Sequence, residues 1–99
     1  MADITVEQLK ERLDAGEQVN LIDVRETYEH EEFNVGGQLI PLGNIPMELG
    51  NLDSLKDEEV IVYCRSGKRS AMAQELLKRA GFSNARNLIG GMMEWTSKF

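Results

Sequence analysis

The chain has 99 residues, of which 41% are hydrophobic and 28% are charged, and its net charge is -6. This length suits a single domain over residues 1–99, because two separate cores would each be too small to be stable. The acidic balance argues against nucleic acid or an anionic membrane as the main partner, since both attract basic surfaces.

The single cysteine, Cys64, has no partner for a disulfide within the chain. The opening residues lack the basic and apolar parts of a secretion signal, and no apolar run is long enough to span a bilayer. A reducing compartment and a cytoplasmic location are therefore predicted. We expect a monomer.

The first predicted elements are a helix, a strand and a second helix. Thr5 and Gln8 have the spacing of a capping box, and Gly16 is placed to end the first helix. Residues 19–24 form an apolar, β-branched run that is typical of a strand buried on both faces. A short helix is predicted at Thr27–Glu32.

The alternation continues to the end of the chain. Further strands are predicted at residues 38–42, 59–64 and 84–89, a helical turn or loop at 45–52, and helices at 66–80 and 91–99. Strands that alternate with helices through short connections predict an α/β fold, with a mainly parallel sheet covered by helices on both faces. Ligand sites in such sheets lie at the carboxyl ends of the strands, which is where Cys64 stands.

The segment "CRSGKRS" predicts an anion site around the sulfur. Main-chain N–H groups of the loop and of the first helical turn lack intrahelical acceptors, and Gly67 lets them approach closely. Arg65, Lys68 and Arg69 add three positive charges. An ordinary cysteine is only about 3% thiolate at pH 7, whereas lowering its pKa by about 2 units makes it mostly thiolate.

Simpler interpretations stand beside this one. An unpaired cysteine is most often a small buried hydrophobe, and a single surface cation is most often only solvated. The combination of strand end, glycine loop, cations and helix start favours a reactive Cys64. His30 lies among glutamates in "ETYEHEEF", which predicts a solvated acidic helix face. The sequence shows no metal-binding cluster and no nucleotide-binding glycine loop, so neither a metal nor a cofactor is expected.

Three segments, in order, resemble the single-domain rhodanese family of sulfurtransferases. They are "LIDVRE" at 21–26, "VIVYCRSGKRSAMAQELLKRAGF" at 60–82 and "NLIGGMMEW" at 87–95. The resemblance runs along nearly the whole chain. It departs at Phe33, Asn34 and Val35, which stand where the family commonly has His, Ile and Pro.

The resemblance implies a three-layer fold with a five-stranded parallel sheet between helices. It also implies that Cys64 takes a sulfane sulfur from thiosulfate, a persulfide or a polysulfide, and that an external thiol or thiol protein removes it. The substrate-binding residues would be those of the active-site loop, Arg65, Ser66, Gly67, Lys68, Arg69 and Ser70. Asp23 and Arg25 would support the neighbouring loops.

Two alternatives remain at this point. Phosphatases and arsenate reductases of a related fold place an arginine after five intervening residues, and Ser70 occupies that position here. A persulfide carrier or partner-binding module with little turnover is the other alternative, with the acidic segments "ETYEHEE" and "KDEE" as candidate docking surfaces.

Overall fold

The computed structural model describes residues 3–99, so the first two residues of the predicted domain lie outside the described part. Helices and short strands alternate along this range. The helices are α1 (Val6–Asp14), α2 (Thr27–Glu32), α3 (Ile45–Glu48), α4 (Lys68–Arg79) and α5 (Gly91–Lys98). The strands are β1 (Leu21–Asp23), β2 (Gln38–Leu39), β3 (Glu59–Tyr63) and β4 (Asn84–Asn87), and 3-10 segments at Leu42–Asn44 and Leu49–Leu55 flank α3.

The strands form one parallel sheet in the order β2-β1-β3-β4. In its register Ile22 of β1 lies between Gln38 of β2 and Val62 of β3, and Val62 lies opposite Asn87 of β4. The predicted α/β class with a parallel sheet is confirmed. The central position of β3 brings the residues that follow it to the middle of one sheet edge.

The expectation of five strands was wrong, because residues 3–99 contain four. Beside β4, Ile4 is the only residue of the described range 3–99 that adds to the sheet, in an isolated parallel bridge to Leu88. The chain cannot extend this pairing toward its C-terminus, since Thr5 already caps α1. One bridged residue therefore stands where a fifth strand would lie.

The two faces of the sheet are buried under different helices, and β3 contributes to both cores. Val60, Val62 and Cys64 belong to one core, whereas Ile61 and Tyr63 belong to the other. The first core includes Ala73 and Leu77 of α4, and the second includes Val6 and Leu9 of α1 with Met92 and Trp95 of α5. Because side chains alternate along a strand, Cys64 follows Val60 and Val62 toward the α4 layer.

The predicted helix starts agree with the structure more closely than the predicted strand ends do. The capping box of α1 is present, with Gln8 N donating to Thr5 Oγ1 at 3.1 Å and Thr5 N to Gln8 Oε1 at 3.0 Å. The helix predicted at Thr27–Glu32 has the same bounds in the structure. The strand predicted at 38–42 stops at Leu39, since the chain coils into the 3-10 segment Leu42–Asn44 directly after Pro41.

Candidate active site

Cys64 directly follows β3, and only two residues separate it from the glycine that caps α4. The backbone of that glycine, Gly67, has φ +102, a left-handed conformation that side-chain-bearing residues rarely adopt. A Cβ at this position would meet only ordinary contacts at 3.6 Å or more. The turn therefore requires glycine for its backbone conformation and not for lack of space.

The loop directs hydrogen-bond donors at the sulfur. Gly67 N lies 3.1 Å from Cys64 Sγ, and Ser70 Oγ lies 3.3 Å from it. Burial raises the pKa of the Cys64 thiol, but the Ser70 hydroxyl and the main-chain N–H groups of Ser70, Gly67 and Ser66 lower it more. The resulting pKa lies below the ordinary cysteine value, as expected for a thiolate at the positive end of α4.

The three loop cations have different surroundings. Arg69 donates two hydrogen bonds to the Glu29 carboxylate of α2, at 2.7 and 2.9 Å. This contact holds the pKa of Glu29 at about 2. Arg65 and Lys68 are exposed and form no ion pair with any residue in the range 3–99. Two of the three predicted cations are therefore available to an incoming anion, while the third fastens α4 to α2.

A second polar network lies at the end of the neighbouring strand β1. Asp23 is fully buried, and its carboxylate accepts hydrogen bonds from Arg25 Nε at 2.9 Å and Arg25 Nη2 at 2.8 Å. The same guanidinium donates to Phe33 O at 2.6 Å. Burial raises the pKa of Asp23, but its hydrogen bonds to Arg25 and His30 lower it more, so the carboxyl stays ionised. Asp23 and Arg25 thereby tie β1 to the chain that follows α2.

His30 is part of this network, and the prediction that it lies on a solvated acidic face was wrong. Its Nδ1 lies 2.8 Å from Asp23 Oδ2. Since an ionised carboxylate only accepts hydrogen bonds, Nδ1 carries the proton. The exposed members of α2 do include Thr27 and Glu31, so the pattern was correct for part of the helix. His30 follows the buried Asp23 by seven residues across two elements, and no periodicity in the sequence predicts a contact at that spacing.

Asn87, at the end of β4, is a further site residue that the sequence did not single out. Its Nδ2 donates to Gly67 O at 3.1 Å, and its Oδ1 accepts from Ser70 Oγ at 2.6 Å. Asn87 is 8% exposed. The one available signal was its position on the same strand face as buried Ala85, since a buried polar residue must have hydrogen-bond partners.

The start of α5 closes the back of the loop. Met92 N donates to Cys64 O at 2.9 Å, and Met93 N donates to Arg65 O at 2.8 Å. At Gly91 a Cβ would lie 2.4 Å from Cys64 O, closer than atoms of this kind approach. Gly90 and Gly91, at the start of α5, thus let the helix touch the main-chain carbonyls of Cys64 and Arg65.

A cleft of about 380 Å³ opens beside the loop. It is lined by Arg25, Tyr28, Glu29, Glu32, Phe33, Arg65, Met92, Met93 and Thr96. Cys64 is not part of the lining and is 1% exposed, so its sulfur lies at the inner end of the loop and not on the cleft wall.

The described residues 3–99 bring together no group of three or more His, Cys, Asp or Glu side chains that could hold a metal ion. Within the same residues, no helix has both the length and the apolar character needed to cross a membrane.

Comparison with known proteins places this geometry in a family. A family model described as a rhodanese-like domain matches residues 5–98. The Bacillus subtilis protein YtwF, whose name describes a sulfurtransferase, is 40% identical over 94 residues, which cover 94% of this chain and 88% of YtwF. YrkF of the same organism, whose name describes a sulfur carrier, is 36% identical over 97 residues, and this chain spans only 51% of its length.

Solved structures show the same fold. The human single-domain sulfurtransferase TSTD1 superimposes with a TM-score of 0.85 at 25% sequence identity. The superposition covers 100% of this chain and 98% of TSTD1.

Proposed function

This chain belongs to the rhodanese-like family, and on that premise we propose that it transfers a sulfane sulfur through a persulfide on Cys64. The observation that carries the proposal is the set of donors around Cys64 Sγ, with Gly67 N at 3.1 Å and Ser70 Oγ at 3.3 Å. A thiolate held in this way is both a nucleophile and a stable leaving group.

In the first half-reaction the Cys64 thiolate attacks the outer sulfur of thiosulfate, a persulfide or a polysulfide. A new S–S bond forms to Cys64 while the donor's own S–S bond breaks, and its electron pair leaves with sulfite or a thiolate. The terminal sulfur of the new persulfide carries the negative charge. The main-chain N–H groups of residues 65–70 and the positive end of α4 stabilise that charge.

In the second half-reaction an external thiolate attacks the terminal sulfur, so that the acceptor leaves as a persulfide and Cys64 returns as a thiolate. The acceptor is external because the chain has a single cysteine. Exposed Arg65 and Lys68 attract the anionic donor, and the cleft beside Arg65 gives donor or acceptor room next to the loop. Such acceptor thiols stay reduced in a compartment like the cytoplasm.

A phosphatase is less well supported by the same loop. The position of the phosphatase arginine is held by Ser70, which is fully buried and bonded to Cys64 and Asn87. The adjacent Arg69 is occupied by Glu29. Neither position 69 nor position 70 therefore offers a free guanidinium to bind a tetrahedral oxyanion over the sulfur.

A persulfide carrier with little turnover remains the second candidate, and the burial of Cys64 favours it. Cys64 is only 1% exposed as a residue, so its sulfur is shielded from most small thiols, which would lengthen the lifetime of its persulfide. The name of the relative YrkF, a sulfur carrier, points the same way. Turnover with thiosulfate and a small thiol separates the candidates, because a carrier loads sulfur but releases it slowly.

The decisive experiment is intact mass spectrometry after incubation with thiosulfate, repeated with a polysulfide. We expect the gain of one sulfur atom, reversal by dithiothreitol and no gain in Cys64→Ser. As a matched control, Ser97→Ala changes an exposed serine on α5 and leaves loading unchanged. If neither donor adds sulfur to the folded wild-type protein, the proposed function is wrong.

A further inference from the structure

Ser70 has one hydroxyl proton and two acceptors within reach. Its Oγ lies 2.6 Å from Asn87 Oδ1 and 3.3 Å from Cys64 Sγ. Ser70 is fully buried, and Asn87 is nearly so. At any moment, therefore, the hydroxyl donates either to the amide oxygen or to the sulfur.

The orientation of the Asn87 amide is fixed by its other partner. Gly67 O, 3.1 Å from Asn87 Nδ2, is a carbonyl and can only accept. The amide must therefore present its NH₂ group to Gly67 and its oxygen to Ser70. On the main chain, Asn87 N donates to Asp3 Oδ1 at 3.1 Å and Asn87 O accepts from Ile4 N at 3.0 Å, which holds the residue at the sheet edge.

We propose that Asn87 is a positioning residue that competes with Cys64 for the hydroxyl proton of Ser70, so that the hydroxyl turns to the sulfur only while the sulfur is a thiolate. With a neutral thiol, the short contact to Asn87 Oδ1 is the better bond, and the S–H can donate to Ser70 Oγ. When the thiol ionises, the charged sulfur becomes the stronger acceptor and the hydroxyl rotates toward it. The rotation makes and breaks no covalent bond.

The same competition releases the sulfur after the first half-reaction. In a persulfide the charge moves to the terminal sulfur, about 2 Å from Sγ. Sγ is then neutral and a weak acceptor, so the hydroxyl returns to Asn87. The Ser70 proton thereby follows the charge on Cys64 through the cycle, and this part of the inference rests on the proposed function.

Other charged groups near the sulfur stay in place in the variants that test this inference. Arg69 of α4 acts on Cys64 through its charge, and Glu29 of α2 binds its guanidinium. Arg65 and Lys68 on the loop side are exposed, and Asp3 contacts the main chain of Asn87 from the other side. None of these is altered by a change at position 70 or at the side chain of position 87.

The test is a double-mutant cycle on the pKa of Cys64, measured from the pH dependence of alkylation by iodoacetamide. Asn87→Ala removes the competing acceptor, so we expect the pKa of Cys64 to fall by about half a unit to one unit. Ser70→Ala removes the donor and should raise it. In the Ser70→Ala background, adding Asn87→Ala should cause no further shift.

If Asn87→Ala shifts the pKa of Cys64 by the same amount with and without Ser70→Ala, Asn87 acts only through the loop backbone, and the inference is overturned. It is also overturned if Asn87→Ala alone leaves the pKa of Cys64 unchanged or raises it. Circular dichroism checks that each variant is folded. If Asn87→Ala does not fold, the wild-type protein is used, and the side-chain carbonyl carbon of Asn87 is followed by NMR against pH. Its signal should step at the pKa of Cys64 and show no step in Cys64→Ser, whereas a flat wild-type signal refutes the inference.

The alkylation assay contains no sulfur donor. The inference can therefore fail while thiosulfate still loads Cys64, and the proposed function can fail while the cycle behaves as expected.

Discussion

Replacing Gly91 by alanine tests whether contact between α5 and the active-site loop holds the cysteine in place. The added Cβ would lie 2.4 Å from Cys64 O and 2.7 Å from Arg65 O. Both are main-chain atoms that cannot rotate away. The helix and the loop must therefore move apart.

The magnitude follows from the contacts that this movement breaks. Met92 N and Met93 N donate to the two carbonyls at 2.9 and 2.8 Å, and losing both hydrogen bonds costs about 1–3 kcal/mol. Gly91 has φ +54, and alanine in this left-handed conformation adds about 1–2 kcal/mol. The expected loss is about 2–5 kcal/mol in the free energy of unfolding.

Gly16→Ala is the matched control. Gly16 also has a positive φ, +80, but no atom lies within 4 Å of the Cβ that alanine would add. Only the conformational strain of about 1–2 kcal/mol is expected there. The difference between the two variants therefore measures the contact with the loop.

Both variants are to be measured by urea unfolding, followed by the fluorescence of Trp95, which is 9% exposed in the folded chain. Persulfide loading from thiosulfate is the second readout, and it should fall in Gly91→Ala but not in Gly16→Ala. Equal losses of stability in the two variants, or wild-type loading by Gly91→Ala, would show that the contact does not position the cysteine.

Three further predictions concern charged side chains. Lys68→Gln removes a positive charge beside the loop and should raise the KM for thiosulfate about 3–10-fold at low salt. Lys78→Gln, at the far end of α4, should leave the KM unchanged. Equal effects of the two variants would exclude local electrostatic attraction of the donor by Lys68. Glu29→Gln removes the bidentate contact to Arg69 and should cost about 1–2 kcal/mol at pH 7, allowing for solvent screening. Because the pKa of Glu29 is lowered from 4.5 to about 2, this cost should persist above pH 4.5 and vanish as the pH falls toward 2; a pH-independent difference in urea unfolding contradicts the ion pair. Asp23→Asn leaves a buried guanidinium without its carboxylate and should cost about 3–5 kcal/mol by the same assay, and a loss below 1 kcal/mol would show that the network is not structural.

Local sequence signals predicted the elements well because their causes lie within a few residues. The Thr5 capping box and the bounds of α2 depend on contacts three or four positions apart, and both are present. The predicted strands were too long. An apolar run indicates which residues are buried, whereas the length of a strand depends on its pairing with the neighbouring strand. The fifth strand was implied by the family resemblance and not by a residue pattern. In residues 3–99 its place is taken by the isolated bridge of Ile4 to Leu88, a pair that spans nearly the whole chain.

The same distinction between local and long-range contacts decides which parts of the site could be predicted. The loop with its glycine turn and helix start was predictable, since it is contiguous in sequence. The contacts of Glu29 with Arg69, of His30 with Asp23 and of Ser70 with Asn87 were not, because each joins two elements whose distance is set only by the assembled sheet. Polar residues in buried positions marked that partners must exist, without saying which.

The outer side of β4 has a consequence for how the protein behaves at high concentration. On that side Gln74 Nε2 binds Ala85 O at 2.9 Å, and Asp3 Oδ1 accepts from Asn87 N at 3.1 Å. These side chains form hydrogen bonds with backbone groups of β4 that an added strand would otherwise pair with. At the opposite edge of the sheet, β2 has only two residues available for pairing. Both borders of the sheet are poor templates for strand addition, so the fold resists edge-to-edge aggregation without closing into a barrel.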